Sequence, residues 1–371
     1  MHTNDLAGFI RSKNIPASDL IIYHEHKELY RFTCGFKDGE KSIPLQGSEL
    51  YNLYSASKII TCVGALRLVE RGIIGIDDPV AKYIPEFGHL TYRSRDEVKP
   101  CTKAMTIRHL FAMRGGLSYD FNMPSLKSAL SADGDKGTLT LVRALAGSPL
   151  LFEPGTDFTY SFCHDVLGAV IEVASGKSFG RYLKDNIFDP LGMTDTGFFP
   201  TKEQEKKFTT QYRLENGEFN PIPLSNVYRL SNNYESGGAG LFSRIDDYIK
   251  FADALANHGT AYNGYQLLRP ETVELMRSNQ NDRESLIKLG KPGYGYAFGV
   301  RTMLDKDKQN SDAMTDCEFG WDGAAGTYVA IDPANRLSVV YMQHILGHGW
   351  VYSDVHPVIR DTMYYIAGIC K

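Results

Sequence analysis

The sequence predicts an α/β (α+β) protein of two lobes: an antiparallel sheet flanked by helices, joined to a mainly helical lobe. Three observations carry that expectation. Strand-like runs lie near the two ends of the chain, at residues 20–35 and then at 296–302, 326–332 and 337–343. Between them, from about Asp77 to Phe219, helical spacing alternates with loops punctuated by Pro79, Pro85, Pro124, Pro149, Pro154, Pro190 and Pro200. The 371 residues, 43% of them hydrophobic, supply enough apolar material for two lobes or one large domain. Strands at both ends with helices between them imply a sheet assembled from the two termini with the helical part inserted. The expected division is 1–75 with 225–371 for the sheet lobe and 76–224 for the helical lobe, with the active site in the cleft between them.

The elements follow in order. A short helix is expected from Asn4 to Arg11. Residues 20–35 read as two strands joined by a turn near Glu25 to Lys27, and Asp38-Gly39 marks another turn. From Ser55 the period changes: Ile59, Cys62, Val63, Leu66 and Val69 recur at three- and four-residue steps, and Gly72 stands where a C-terminal cap belongs. Leu167, Val170, Ile171 and Ala174 form a second helical face, closed by Gly176. A closing helix is expected over 355–369.

Composition excludes several classes of protein. Lys+Arg of 40 against Asp+Glu of 44 leaves a net charge of −4, which argues against nucleic acid or an anionic membrane as the main partner. No apolar run approaches the roughly 18–20 residues needed to span a bilayer. The first ten residues lack a basic region followed by an apolar one, so no secretory signal is expected. Cys34, Cys62, Cys101, Cys163, Cys317 and Cys370 are scattered, with no Cys-x-x-Cys pair, and read as reduced, mostly buried thiols. A cytoplasmic enzyme is expected.

Ser55-Ala56-Ser57-Lys58 is the first segment able to do chemistry. A serine and a lysine three residues apart share one helix face. A lysine whose pKa is lowered by burial can take the serine proton, making a nucleophile without histidine. The spacing alone decides nothing: with 24 Ser and 21 Lys, one or two such matches arise by chance, and two occur, the other at Ser285 and Lys288. Context favours Ser55, which opens a strong helix, whereas Ser285 sits in a polar stretch. Tyr160, at a loop-to-helix entry after Pro154-Gly155, is placed to carry a proton or else to be an ordinary core aromatic. Residues 319–328 enter a strand, with Gly320, Gly323 and Gly326 permitting either a close backbone approach or a tight bend.

Together and in this order, the three segments resemble the serine β-lactamase and penicillin-binding-protein superfamily, in its class C-like branch of esterases and acyltransferases. Residues 68–80, 106–117, 189–193, 236–241 and 330–333 extend the resemblance over most of the chain. It implies a β-lactamase/transpeptidase-like fold, Ser55 as nucleophile, Lys58 as proton acceptor and Tyr160 as its shuttle. It further implies an oxyanion hole from the amides of Ser55 and Ala324, and a third motif at Trp321-Asp322-Gly323. The departures bear on substrate. Trp321 and Asp322 stand where Lys-Thr is usual, and Phe162 stands where the second motif ends in Asn. Both remove polar handles for a β-lactam. Phe162, Trp321, Asp322, Gly323 and Tyr119 are therefore expected to contact a less polar acyl group.

Other motifs in the chain fit their chemistries less well. Gly176-Lys-Ser178-Phe-Gly180 matches a nucleophile elbow but follows a helical period instead of a strand, so Gly176 reads as a helix cap. His24 and His26 share a strand face without further ligands. His344 and His348 border a late strand and read as a loop pair. Gly237, Gly238 and Gly240 lack the Lys-Ser/Thr of a phosphate loop. Cys163 lies near Tyr160 without a partnered base. The expectation is a carboxylesterase or acyltransferase acting on a small-molecule ester, with no metal or organic cofactor. The alternatives are an amidase, D-aminopeptidase or weak β-lactamase of the same fold, and a catalytically silent binding protein. The sequence says nothing of oligomeric state.

Overall fold

The computed structural model describes residues 3–309, 311, 313 and 315–369, so Cys370 lies outside the described residues. Helix α1 (Thr3–Ser12) leads into strands β1 (Ala17–His24) and β2 (Lys27–Gly35). Glu25 and His26 turn the hairpin with φ of 49° and 67°. Two successive positive φ values match the right-handed twist of the flanking strands. The other strands of the main sheet come late: β3 (Tyr294–Tyr296), β4 (Arg301–Met303), β5 (Phe319–Asp322), β6 (Tyr328–Asp332) and β7 (Leu337–Gln343). The seven strands run in the order β2-β1-β7-β6-β5-β4-β3, every neighbouring pair antiparallel. Thus β1, from the N-terminal end, is hydrogen-bonded to β7 from the C-terminal end.

Strand alternation divides the core in two. Ile21, Val340, Met342, Phe319 and Trp321 face one side, where they join a large cluster with helices α2 (Ser57–Glu70), α3 (Cys163–Ser175) and α4 (Ile245–Ala256). Leu20, Ile22, Val339 and Tyr341 face the other, packing against α1 and the closing helix α5 (His356–Ile366). Successive side chains of a strand must point to opposite faces, so this register sends Trp321 toward α2 and turns Asp322 away from it.

Two expectations need correction. The run 296–302 is not one strand: β3 and β4 form a hairpin whose turn occupies 297–300. The middle of the chain is not helix and loop alone. It holds two antiparallel hairpins, Thr91–Ser94 with Glu97–Pro100 and Gln211–Glu215 with Glu218–Ile222. The second hairpin buries Gln211 and Tyr212 and turns at Asn216-Gly217, a hairpin signal, whereas the first has no such mark. Glu97–Pro100 is exposed throughout, so no buried face imposes a period-two apolar pattern. Among the described residues no helix is long and apolar enough to cross a membrane.

Candidate active site

The chain enters α2 through a single 3-10 turn, Tyr54–Ala56, so Ser55 sits one turn ahead of the helix proper. Tyr54 has φ of 47°, a left-handed conformation that is costly for a bulky side chain. The Tyr54 ring is buried and its hydroxyl is tied at both ends, donating to the Ser225 carbonyl at 3.0 Å and accepting from Gln211 at 2.9 Å. Those contacts hold the strained turn that puts Ser55 at the cavity wall.

Lys58 lies one turn further on and is fully buried. Its Nζ is 2.7 Å from the Gly238 carbonyl, 3.0 Å from the Tyr119 hydroxyl and 3.3 Å from Ser55 Oγ. Burial pulls its pKa down to about 7, against the opposing pull of Asp165. Near neutral pH a large share of the amine is therefore unprotonated. A neutral amine has two N–H donors and one lone pair; with Gly238 and Tyr119 taking the donors, the lone pair is left for Ser55.

Gly238 has to be glycine for this arrangement to close. A Cβ there meets the Tyr119 hydroxyl at 2.5 Å, Asp165 Oδ2 at 2.6 Å and Lys58 Nζ at 3.4 Å. Gly238→Ala is accordingly expected to cost at least about tenfold in kcat/KM through displacement of these groups, while Km for substrate changes little. Asp165 itself is buried, with Oδ1 accepting from Ser236 at 2.6 Å and Tyr234 at 2.9 Å. Its signal in the sequence is an acid in the first turn of a mostly apolar helix.

Tyr160 stands in the loop just before α3. Its hydroxyl accepts a hydrogen bond from Trp321 Nε1 at 2.9 Å and is hydrogen-bonded to Ser55. The Trp321 ring stacks on it at 5.6 Å, and Lys58 Nζ lies 4.3 Å from its ring centroid. Burial raises the Tyr160 pKa far above the usual phenol value, so this group stays protonated over the working pH range. The hydroxyl bonded to Lys58 is that of Tyr119, not Tyr160.

A cavity of about 300 Å³ opens over these groups, lined by Ser55, Tyr160, Tyr228, Lys291, Trp321, Asp322, Gly323, Ala324 and Tyr352. Gly323 lets the strand end approach the nucleophile: a Cβ there meets the Leu53 carbonyl at 2.3 Å. Two of the expected substrate contacts, Phe162 and Tyr119, take other positions, and a third, Asp322, lines the cavity with its charge already paired. Phe162 is 1% exposed and does not line the cavity; its ring packs edge-on against Tyr119 at 4.8 Å and Phe121 at 5.4 Å. Tyr119 serves Lys58 from behind. Asp322 brings no bare anion, because its carboxylate accepts from Lys291 at 2.7 Å and from buried Arg301 at 3.1 Å. Burial opposes ionisation, yet these two cations hold the carboxyl well below the usual range. Tyr228, Lys291 and Tyr352 carry no motif and were not legible in the sequence.

The rival motifs fall elsewhere. Ser178 caps a short helix, accepting from the Arg181 amide at 3.3 Å, and Gly176 ends α3 with φ of 68°. Ser285 is buried in a separate helix, with Lys288 paired to Asp157. His26 pairs with Asp253 at 2.7 Å, and no three His, Cys, Asp or Glu side chains converge as metal ligands among the described residues. His344 is buried against Thr209, at 3.1 Å from its hydroxyl. Cys163 is buried beside Ser161, and burial pushes its thiol up to about 11. The 237–240 loop holds Lys58 through the Gly238 carbonyl in place of a phosphate.

Tyr119→Phe tests the Lys58 anchor. Losing one bond to the ammonium form lowers the Lys58 pKa further. The acid limb of the kcat/KM profile should move to lower pH, and the plateau should fall by about tenfold or less.

A family model described as Beta-lactamase matches residues 4–362, and the chain belongs to that family. It is 28% identical over 383 residues to Esterase EstB of Burkholderia gladioli, covering 96% of this chain and 92% of that protein. It is 31% identical over 366 residues to the lovastatin esterase of Penicillium rubens, covering 88% and 87%. Among solved structures, EstCE1, a hydrolase with promiscuous acyltransferase activity, matches with a TM-score of 0.80 at 25% identity over 98% of this chain and 97% of that one. The fold is that of the β-lactamases and transpeptidases, and the chain is a serine hydrolase of that type.

Proposed function

We propose that the protein is an esterase, or an acyltransferase of the same chemistry, that works through an acyl-enzyme on Ser55 in a cleft between a sheet lobe (1–75 and 225–371) and a mainly helical lobe (76–224). The observation that carries this reading is the buried Lys58 amine, anchored by Gly238 and Tyr119 and 3.3 Å from Ser55 Oγ. Ser55 attacks the ester carbonyl as Lys58 takes its proton. The amides of Ser55 and Ala324 hold the oxyanion, whose charge appears only at the tetrahedral stage. The Lys58 ammonium then gives the proton to the departing alcohol, with the Tyr160 hydroxyl donating a hydrogen bond to the same oxygen as it leaves. Water then attacks the acyl-enzyme by the same route, and an alcohol arriving first completes a transfer instead. The rings of Trp321, Tyr228 and Tyr352 on the cavity wall favour a moderately apolar acyl group, and the esterases to which the chain is similar support the ester bond. The five described cysteines are free thiols, in keeping with a cytoplasmic location.

Fluorophosphonate labelling, read by intact mass and peptide mapping, tests the nucleophile, and a p-nitrophenyl ester series tests the bond. A single adduct on Ser55 with ester turnover well above that of nitrocefin or a D-Ala amide is expected. An adduct on another serine overturns the nucleophile assignment, and faster amide turnover overturns the ester assignment.

A further inference from the structure

Resting on the esterase reading, the geometry points to Lys291 as a cationic handle that selects esters carrying a free carboxylate away from the reacting carbonyl. Of the nine residues around the Ser55 cavity, only Lys291 and Asp322 are charged. The Asp322 carboxylate is engaged by Arg301 and Lys291 and is 8% exposed. Arg301 is committed in its turn, donating to Glu318 at 2.8 Å and to the Val329 carbonyl at 3.0 Å. The Lys291 side chain, by contrast, is 29% exposed. An ammonium has three donors, and one of them goes to Asp322.

The ammonium is also held in place. It lies 5.8 Å from the centroid of the Trp321 ring and 5.9 Å from that of Tyr352, and both rings belong to the cavity wall. Asp322 fixes it from below while the two rings exclude part of its water, which strengthens its attraction for an anion. Room for the rest of a substrate is present as well. Lys291, Asp322 and Tyr352 line a second cavity of about 330 Å³, which reaches buried Arg360. A substrate arm that leaves Ser55 and passes Lys291 thus has space beyond it. Trp321-Asp322-Gly323 places no cation in its own strand, and a loop distant in sequence brings one to the same cavity.

The test compares esters that differ only in this charge, in two arms. On the acyl side, the mono-p-nitrophenyl esters of adipic and suberic acid are set against neutral p-nitrophenyl esters of equal chain length. On the alcohol side, 4-carboxyphenyl butyrate is set against phenyl butyrate. In at least one arm, the charged-to-neutral ratio of kcat/KM should fall about tenfold or more in Lys291→Gln, as expected for loss of a charge-assisted bond. Lys291→Arg should restore it, and raised ionic strength should raise KM for the charged ester of wild type. A ratio unchanged by Lys291→Gln in both arms overturns the proposal.

A binding measurement separates its failure from that of the esterase reading. Calorimetric titration of Ser55→Ala with monomethyl adipate should give a Kd about tenfold tighter than that of Ser55→Ala/Lys291→Gln. Equal affinities overturn the role of Lys291. Absence of ester turnover by the wild-type protein, with the difference in affinity present, overturns only the esterase reading.

Discussion

Ester hydrolysis by the Ser55→Ala variant falls to background, a loss on the order of 10⁴-fold or more in kcat, and the fluorophosphonate adduct disappears. Among the described residues the Ser55 hydroxyl is the only nucleophile lining the cavity with a base at hydrogen-bonding distance, so no neighbour among them can substitute. The fold should survive, because Lys58 keeps Gly238 and Tyr119 as partners. A thermal unfolding curve close to that of wild type checks this. Ser178→Ala is the control: it should leave kcat unchanged and cost about 1 kcal/mol of stability, since its oxygen caps a helix. Retention of more than a tenth of wild-type turnover by Ser55→Ala would sink the mechanism.

Replacing Lys58 by methionine is expected to lower kcat/KM by about 10²- to 10⁴-fold, the usual contribution of a general base. In wild type, the activity should rise with pH as the ammonium loses its proton near pH 7 and then level off. Methionine removes that limb. Tyr160, kept protonated by burial, adds no limb of its own on the alkaline side. Stability carries a second signature. The folded pKa of about 7 lies below the ordinary lysine value of 10.5, so the unfolded chain binds more protons between those values and wild type gains stability as pH rises through that window. Below pH 7 the full cost of the buried ammonium remains. The Tm of Lys58→Met relative to wild type should therefore be higher at pH 6 than at pH 10. An acid limb that persists in Lys58→Met would assign the base to another group.

How much of this was legible depended on whether a residue's neighbours in the chain are also its neighbours in space. Ser55 and Lys58 share one helical face, so their pairing follows from spacing alone, and the hairpin of β1 and β2 follows from alternation and its turn. Trp321 on the cavity wall follows from strand period once β5 is recognised. The hairpin at 91–100 carries no legible pattern because its strands are largely exposed, whereas the one at 211–222 buries Gln211 and Tyr212 and turns at Asn216-Gly217, a hairpin signal written in the sequence. The run 296–302 reads as one strand because the turn between β3 and β4 is itself apolar and buried, with Ala297, Phe298 and Val300 in the core.

The sequence by itself determined that the main sheet draws its strands from the two ends of the chain with helices between them, the serine nucleophile with its lysine, and the tyrosine and glycine-bounded strand that complete the family's motifs. Each of these is written in contacts a few residues long or in a colinear motif. The tertiary structure decided what surrounds them: that Tyr119 and Gly238 orient Lys58, that Phe162 lies behind the site, that Asp322 is neutralised by Lys291 and Arg301, and that Lys291 reaches the cavity. Those relations join residues 21 to 180 positions apart, beyond the reach of any helix or strand period. Desolvation, which sets the Lys58 pKa, likewise depends on every element packed around it, and no local pattern of residues encodes that sum.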